Sequence, residues 1–129
     1  MNASRKALMV AAVACGLVMS AAFAQDVAEI KVLGSRTTVK VKPGMNGVTP
    51  APLYKTLELS YGVSAGDLDL KSDSGAAALE KRVNDAAVAL CEEMGRQYPD
   101  STPDDATCAK QASKRAMAQV RALTAKARK

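Results

Sequence analysis

Two cysteines set inside alanine-rich, helix-forming runs constrain this chain more than any other feature. Cys91 lies near the end of one run and Cys108 near the start of the next, with the proline-punctuated linker Gly95–Pro103 between them. In the first run Leu79, Val83, Ala86, Ala87, Leu90, Cys91 and Met94 recur at three- and four-residue spacing, while Glu80, Lys81, Asn84, Asp85 and Glu92 fall elsewhere around the wheel. Ser72, Asp73 or Ser74 can cap its start, and Gly95 offers a C-terminal stop. In the second run Cys108, Ala112, Ala116, Val120 and Leu123 line one face. Thr102 is its expected N-cap, Pro103 suits the first helical position, and Asp104 and Asp105 suit the positive end of the helix dipole. A short linker makes the two helices antiparallel neighbours, so the end of the first sits beside the start of the second, where both cysteines lie. The expected result is a helical hairpin closed by a Cys91–Cys108 disulfide, which on chain entropy is worth about 3 kcal/mol.

Whether that bridge forms depends on compartment, and the amino-terminal residues address this. Arg5 and Lys6 make a positive n-region, Ala7–Ala22 an apolar h-region, and Ala22-Phe23-Ala24 a small-x-small site before Gln25. We expect residues 1–24 to be a signal peptide cleaved after Ala24 and the protein to be periplasmic or secreted. Alanine richness argues against a retained anchor, and Ala12-Val13-Ala14 before Cys15 lacks the leucine of a lipidation site. Cleavage removes Cys15 and leaves two of the three cysteines, an even count in an oxidising compartment. It also removes Arg5 and Lys6, lowering the formal charge from +5 to +3. Phe23, the one phenylalanine, leaves with the signal, and there is no tryptophan, so the core must be built without the large burial that aromatics supply.

Ahead of the helices the period changes to two. Glu29–Leu33 and Arg36–Lys42 read as short strands on either side of Gly34-Ser35, a small hairpin, with Val39 and Val41 alternating against Thr38, Lys40 and Lys42. Pro43–Pro52 is a loop rich in proline and glycine, with the turn dipeptide Asn46-Gly47. Leu53–Val63 is the best strand: Leu53, Leu57, Leu59, Tyr61 and Val63 share a face, with Lys55 the exception on the apolar side. A ribbon so small needs a cover, and the helical hairpin is the candidate. The fold class expected is α+β, a short antiparallel sheet of two to three strands packed against a disulfide-linked helical hairpin.

Tyr61, Asp67-Leu68-Asp69-Leu70, Gly75, Leu79, Arg82–Ala87, Cys91, and Cys108 followed by a basic, alanine-rich helix to Gln119-Val120 occur in an order that resembles the UrcA family of small exported proteins of Gram-negative bacteria. The resemblance runs from about Thr56 to Leu123 and divides the chain into a signal at 1–24, an extension at 25–55 and an UrcA-like domain at 56–127. It implies little about activity, since the family is of unknown function and has no accepted catalytic residues.

Histidine is absent, which removes Ser-His-Asp triads, Cys-His nucleophile pairs and histidine-containing zinc sites. Asp67 and Asp69 are alternate carboxylates able in principle to serve a small enzyme or an enzyme-accessory protein, but their setting favours a polar turn leading into a capped helix. Cys91 and Cys108 are too far apart in sequence to tune one another as a redox motif. Met94, one turn from Cys91, reads as core filling rather than a soft-metal ligand. No cofactor or metal is expected. Ala109–Lys129 holds seven basic and no acidic side chains, so Lys110, Lys114, Arg115 and Arg121 form the candidate anion-binding face. Anionic lipid or an acidic envelope polymer suits such a face. Nucleic acid is a poor match for an exported chain with three tyrosines as its stacking surface. The function expected is therefore that of a non-enzymatic envelope protein.

Overall fold

Ile30, Val32, Gly34 and Arg36 turn one way along an extended segment, and Leu57, Leu59, Tyr61 and Val63 turn the same way on its neighbour. The computed structural model describes residues 28–41 and 52–129. The proposed signal and most of the Pro/Gly loop lie outside the described residues. Four elements follow in order: β1 (Glu29–Val41), β2 (Pro52–Ser64), α1 (Asp73–Gln97) and α2 (Asp105–Ala127). The strands pair antiparallel along their whole length, from Glu29 opposite Ser64 to Val41 opposite Pro52. The two helices lie against one face of this ribbon, α1 touching both strands and α2 touching β1.

A disulfide joins Cys91 to Cys108 with Cα atoms 5.9 Å apart, both residues fully buried. The fold is thus a two-stranded antiparallel sheet packed on a disulfide-linked helical pair, as the sequence led us to expect. Between the layers sit Ile30, Val32, Leu57, Val63, Leu79, Val83, Leu90, Met94 and Val120, with Ala87, Ala112 and Ala116 where the helices meet. Aliphatic side chains and close alanine contacts supply the burial that aromatic residues would otherwise provide.

Four local expectations are corrected. Gly34-Ser35 is not a turn: β1 passes straight through it, Gly34 opposite Leu59 and Ser35 opposite Glu58. Gly34 is needed because a Cβ there would stand 2.0 Å from Leu90 Cδ2, so the helix lies directly on the strand backbone. Gly95 does not end α1, which runs on to Gln97 and is capped by the Tyr98 N–H donating to the Met94 carbonyl at 2.9 Å. A Cβ on Gly95 would meet Asp105 Oδ1 at 2.3 Å and Arg36 Nη1 at 2.9 Å, so it too marks a close approach.

Thr102 does not cap α2. Asp104 holds the N-cap position without a side-chain bond, and Thr102 pairs instead with Thr37 of β1, N to O at 2.7 and 2.9 Å. The linker has become a third, one-residue rung beside the ribbon, which places Pro103 outside the helix; the Thr102–Pro103 peptide is cis. Of the three candidate caps Ser72, Asp73 and Ser74, it is Ser72 that caps α1, its Oγ accepting from the Gly75 N–H at 3.0 Å. Finally, Val39 and Val41 are not half-buried. With Leu53 and Tyr54 they lie exposed where the ribbon extends past the helices, Val41 at 61% and Tyr54 at 70% exposure. β2 runs through positions 55 and 56 without a break, and Ile30 and Val32 from the preceding strand fill the same core as the helices.

Candidate functional site

Lys110, Lys114, Arg115 and Arg121 are all exposed on α2, and none forms an ion pair among the described residues. Helical spacing decides how they group. At about 100° per residue, Lys110, Lys114 and Arg121 fall on one flank and span about 16 Å along the axis. Arg115 falls on the other flank, one turn before Gln119, which faces β1. The structure therefore brings three of the four together and sets the fourth apart.

No carboxylate belongs to α2 beyond Asp105, so every charged side chain the helix itself contributes after that point is positive. At the far end of the helix Arg128 Nη2 donates to Asp73 Oδ1 at 2.7 Å, tying the last turn of α2 to the first of α1. Between those turns lies an open groove of about 510 Å³ lined by Asp73, Glu80, Val120, Arg121, Thr124 and Arg128. Its charges are mixed, and Arg121 is the one member of the anion-binding set that reaches it.

The acidic turn is built differently. Asp67 accepts from both guanidinium nitrogens of Arg82, at 2.7 and 2.6 Å, while Arg82 Nη1 also donates to the Ser64 carbonyl at 3.1 Å. The hydrogen bonds from Arg82 hold the Asp67 carboxyl at about 2, well below the usual carboxylate range, and the same pair raises Arg82. Asp69 Oδ1 accepts from the Lys71 N–H at 3.1 Å, and its carbonyl accepts from the Ser72 N–H and hydroxyl. Both carboxylates are thus engaged in holding the β2–α1 connection.

Sequence reasoning missed the most constrained charged group in the molecule. Arg36 is 3% exposed and reaches through the core end of the sheet to three acceptors. Its Nη1 donates to the Cys91 carbonyl at 3.1 Å and to Asp105 Oδ1 at 2.5 Å, and its Nη2 donates to the Ser101 carbonyl at 3.4 Å. One guanidinium therefore joins β1, the end of α1, the linker and the start of α2, beside the disulfide. Strand parity could have found it: in an unbroken β1, Arg36 shares the inward face of Ile30 and Val32, but a turn at Gly34-Ser35 hides that parity. Gln119 was also overlooked. Its side-chain amide donates to the Lys31 carbonyl at 2.9 Å and accepts from the Lys31 N–H at 3.2 Å, acting as a strand fragment along β1.

Among the described residues no group of three or more His, Cys, Asp or Glu side chains could hold a metal ion, and no helix is long and apolar enough to cross a membrane. No family model matches the chain, and no curated protein or solved structure shows detectable similarity to it.

Proposed function

We propose that this is an exported, UrcA-like envelope protein that acts by binding an anionic surface, lipid headgroups or an acidic envelope polymer, along the outer side of α2. The observation that carries this reading is the set of unpaired cations Lys110, Lys114 and Arg121 on one flank of a helix that has no acidic side chain after Asp105. Fixed on a stapled helix, they keep their spacing without the entropy loss that ordering a flexible basic tail would bring. Binding rather than catalysis is supported by the acidic turn, since Asp67 is held by Arg82 and Asp69 accepts from the Lys71 N–H, both as parts of the connection into α1. Export is supported by the leader-like residues 1–24 and by the disulfide, which belongs to an oxidising compartment.

The test is co-sedimentation with vesicles containing phosphatidylglycerol, and in parallel with acidic cell-wall polymer, over a salt series. Binding is expected at low salt, falling as salt rises. The combined Lys110→Glu, Lys114→Glu and Arg121→Glu variant should lose it, while Arg115→Glu alone should weaken it less. Absence of binding to both probes at low salt would end the reading.

A further inference from the structure

The two edges of the ribbon are treated unequally. Along β1 two outward-facing residues are met from within the chain, Lys31 by the Gln119 amide and Thr37 by Thr102, so an incoming strand is blocked at both places. In an antiparallel pair, residues opposite one another point their N–H and C=O groups the same way, both inward or both outward. Lys31 stands opposite Gly62 and Thr37 opposite Thr56, so on β2 the even-numbered residues Tyr54, Thr56, Glu58, Ser60 and Gly62 turn their groups outward. Among the described residues none of these ten groups has a backbone or side-chain partner; at the end of the row the Ser64 carbonyl takes the bond from Arg82. An edge this long and unobstructed, opposite one interrupted at Lys31 and Thr37, is a template for another strand.

We infer that the occupant is a second copy of this chain, joined β2 to β2 in antiparallel fashion about a two-fold axis at Leu59, so that two ribbons become one four-stranded sheet with all four helices on one face. The sequence of β2 suits this register on both faces. Leu59 meets its own copy and Leu57 meets Tyr61, an apolar row continuous with the core. Glu58 lies opposite Ser60, so like charges do not face one another, whereas an axis at Glu58 would oppose them directly.

In this register Lys55, the one cation on the apolar side of β2, comes opposite Val63 of the other copy, at the end of the ribbon where that copy holds its Asp67–Arg82 pair. Along its middle the flank of α1 above this edge is small-sided. Ala86 and Ala89 lie on it between Arg82, which bonds to Ser64 of β2, and the Glu93–Arg96 pair of the last turns, so a neighbouring α1 can approach there. The isologous contact closes on itself, which limits growth to a pair.

The experiment uses the chain expressed with its leader and purified as the cell processes it. Sedimentation equilibrium should give twice the chain mass, and the Ser60→Pro variant one chain mass. Proline at position 60 removes an outward N–H and leaves the ladder to β1 intact. A second measurement covers the case in which that variant misfolds. Amide exchange in the wild type should slow by about tenfold or more at Thr56, Glu58, Ser60 and Gly62 as concentration rises through the association range, with Ser35 on the β1 edge unchanged. A wild-type chain that stays monomeric to hundreds of micromolar, its edge bare or filled by another protein's strand, overturns the inference. So does a folded Ser60→Pro variant that keeps the double mass, or exchange at those four amides that ignores concentration.

Discussion

Arg36 shows how a single charged residue can be held at the end of an apolar core. A buried guanidinium is costly unless its donors are used, and here two carbonyls and one half-exposed carboxylate take up the terminal nitrogens, while the buried Nε–H has no partner among the described residues. Asp105 recovers water when the arginine is lost and the Cys91 carbonyl keeps its helical bond from Gly95, but the Ser101 carbonyl has no replacement donor. Arg36→Met is therefore expected to destabilise the protein by about 2–3 kcal/mol, seen as a lower urea midpoint with unchanged slope. Arg36→Lys should recover only part of this, because an ammonium cannot span the same three acceptors. The Asp67–Arg82 pair behaves differently because it is exposed. With the Asp67 carboxyl at about 2 against 3.8 for the free group, its contribution is present above about pH 4 and disappears as pH falls through about 2. A carboxyl-carbon titration by NMR should show that low midpoint, and Arg82→Gln should return it to the ordinary range. A midpoint near 4 in the wild type would contradict the pairing.

Among the elements, glycine separates what was legible in the sequence from what was not. The periodicities were enough to find both helices, the strand β2, the Ser72 cap and the pairing of Cys91 with Cys108, because each is a local pattern of spacing. Gly34, Gly95 and Thr102 were misjudged for a common reason: their roles depend on which element lies opposite, and no local rule carries that. Gly34 reads as a turn residue by itself but serves to seat Leu90. The same misreading concealed Arg36, and the open β2 edge became visible only once the strand register was known. At the candidate anion face the residues were legible and their grouping only partly so, since Arg115 turns away from the other three. Gly34→Ala should accordingly destabilise by about 1–3 kcal/mol, as Leu90 is fully buried and has no room to yield. Gly95→Ala reverses a normal rule. A helix-interior alanine usually gains up to about 1 kcal/mol over glycine, yet here its methyl strikes Asp105 and Arg36, and thermal melts should show a loss. A gain at Gly95 would mean that the α1–α2 approach is looser than the geometry shows.

Taken whole, the molecule is fastened at one end. The disulfide, the Arg36 bonds and the Thr37–Thr102 rung all gather where α1 ends and α2 begins, whereas the opposite end is joined by the exposed Asp73–Arg128 ion pair. An exposed pair of that kind contributes about 0–1 kcal/mol, so beyond the buried Val120 the last turns of α2 are held chiefly by Leu123 and Ala127, half-buried against the core. Opening free energies should therefore rise along α2 from Lys126 back to Cys108, with Thr124–Ala127 exchanging by local fraying and Ala112–Ala116 only by global unfolding. The disulfide acts chiefly on the unfolded chain, so its reduction should not touch the fraying. It should speed the slowest amides by about a hundredfold, the equivalent of about 3 kcal/mol, and leave those after Val120 nearly unchanged. Native-state exchange followed by mass spectrometry, with and without reductant, separates the two responses. If the C-terminal amides accelerate as much as the core, α2 opens only as a single unit and its distal end is held by contacts stronger than the ion pair supplies.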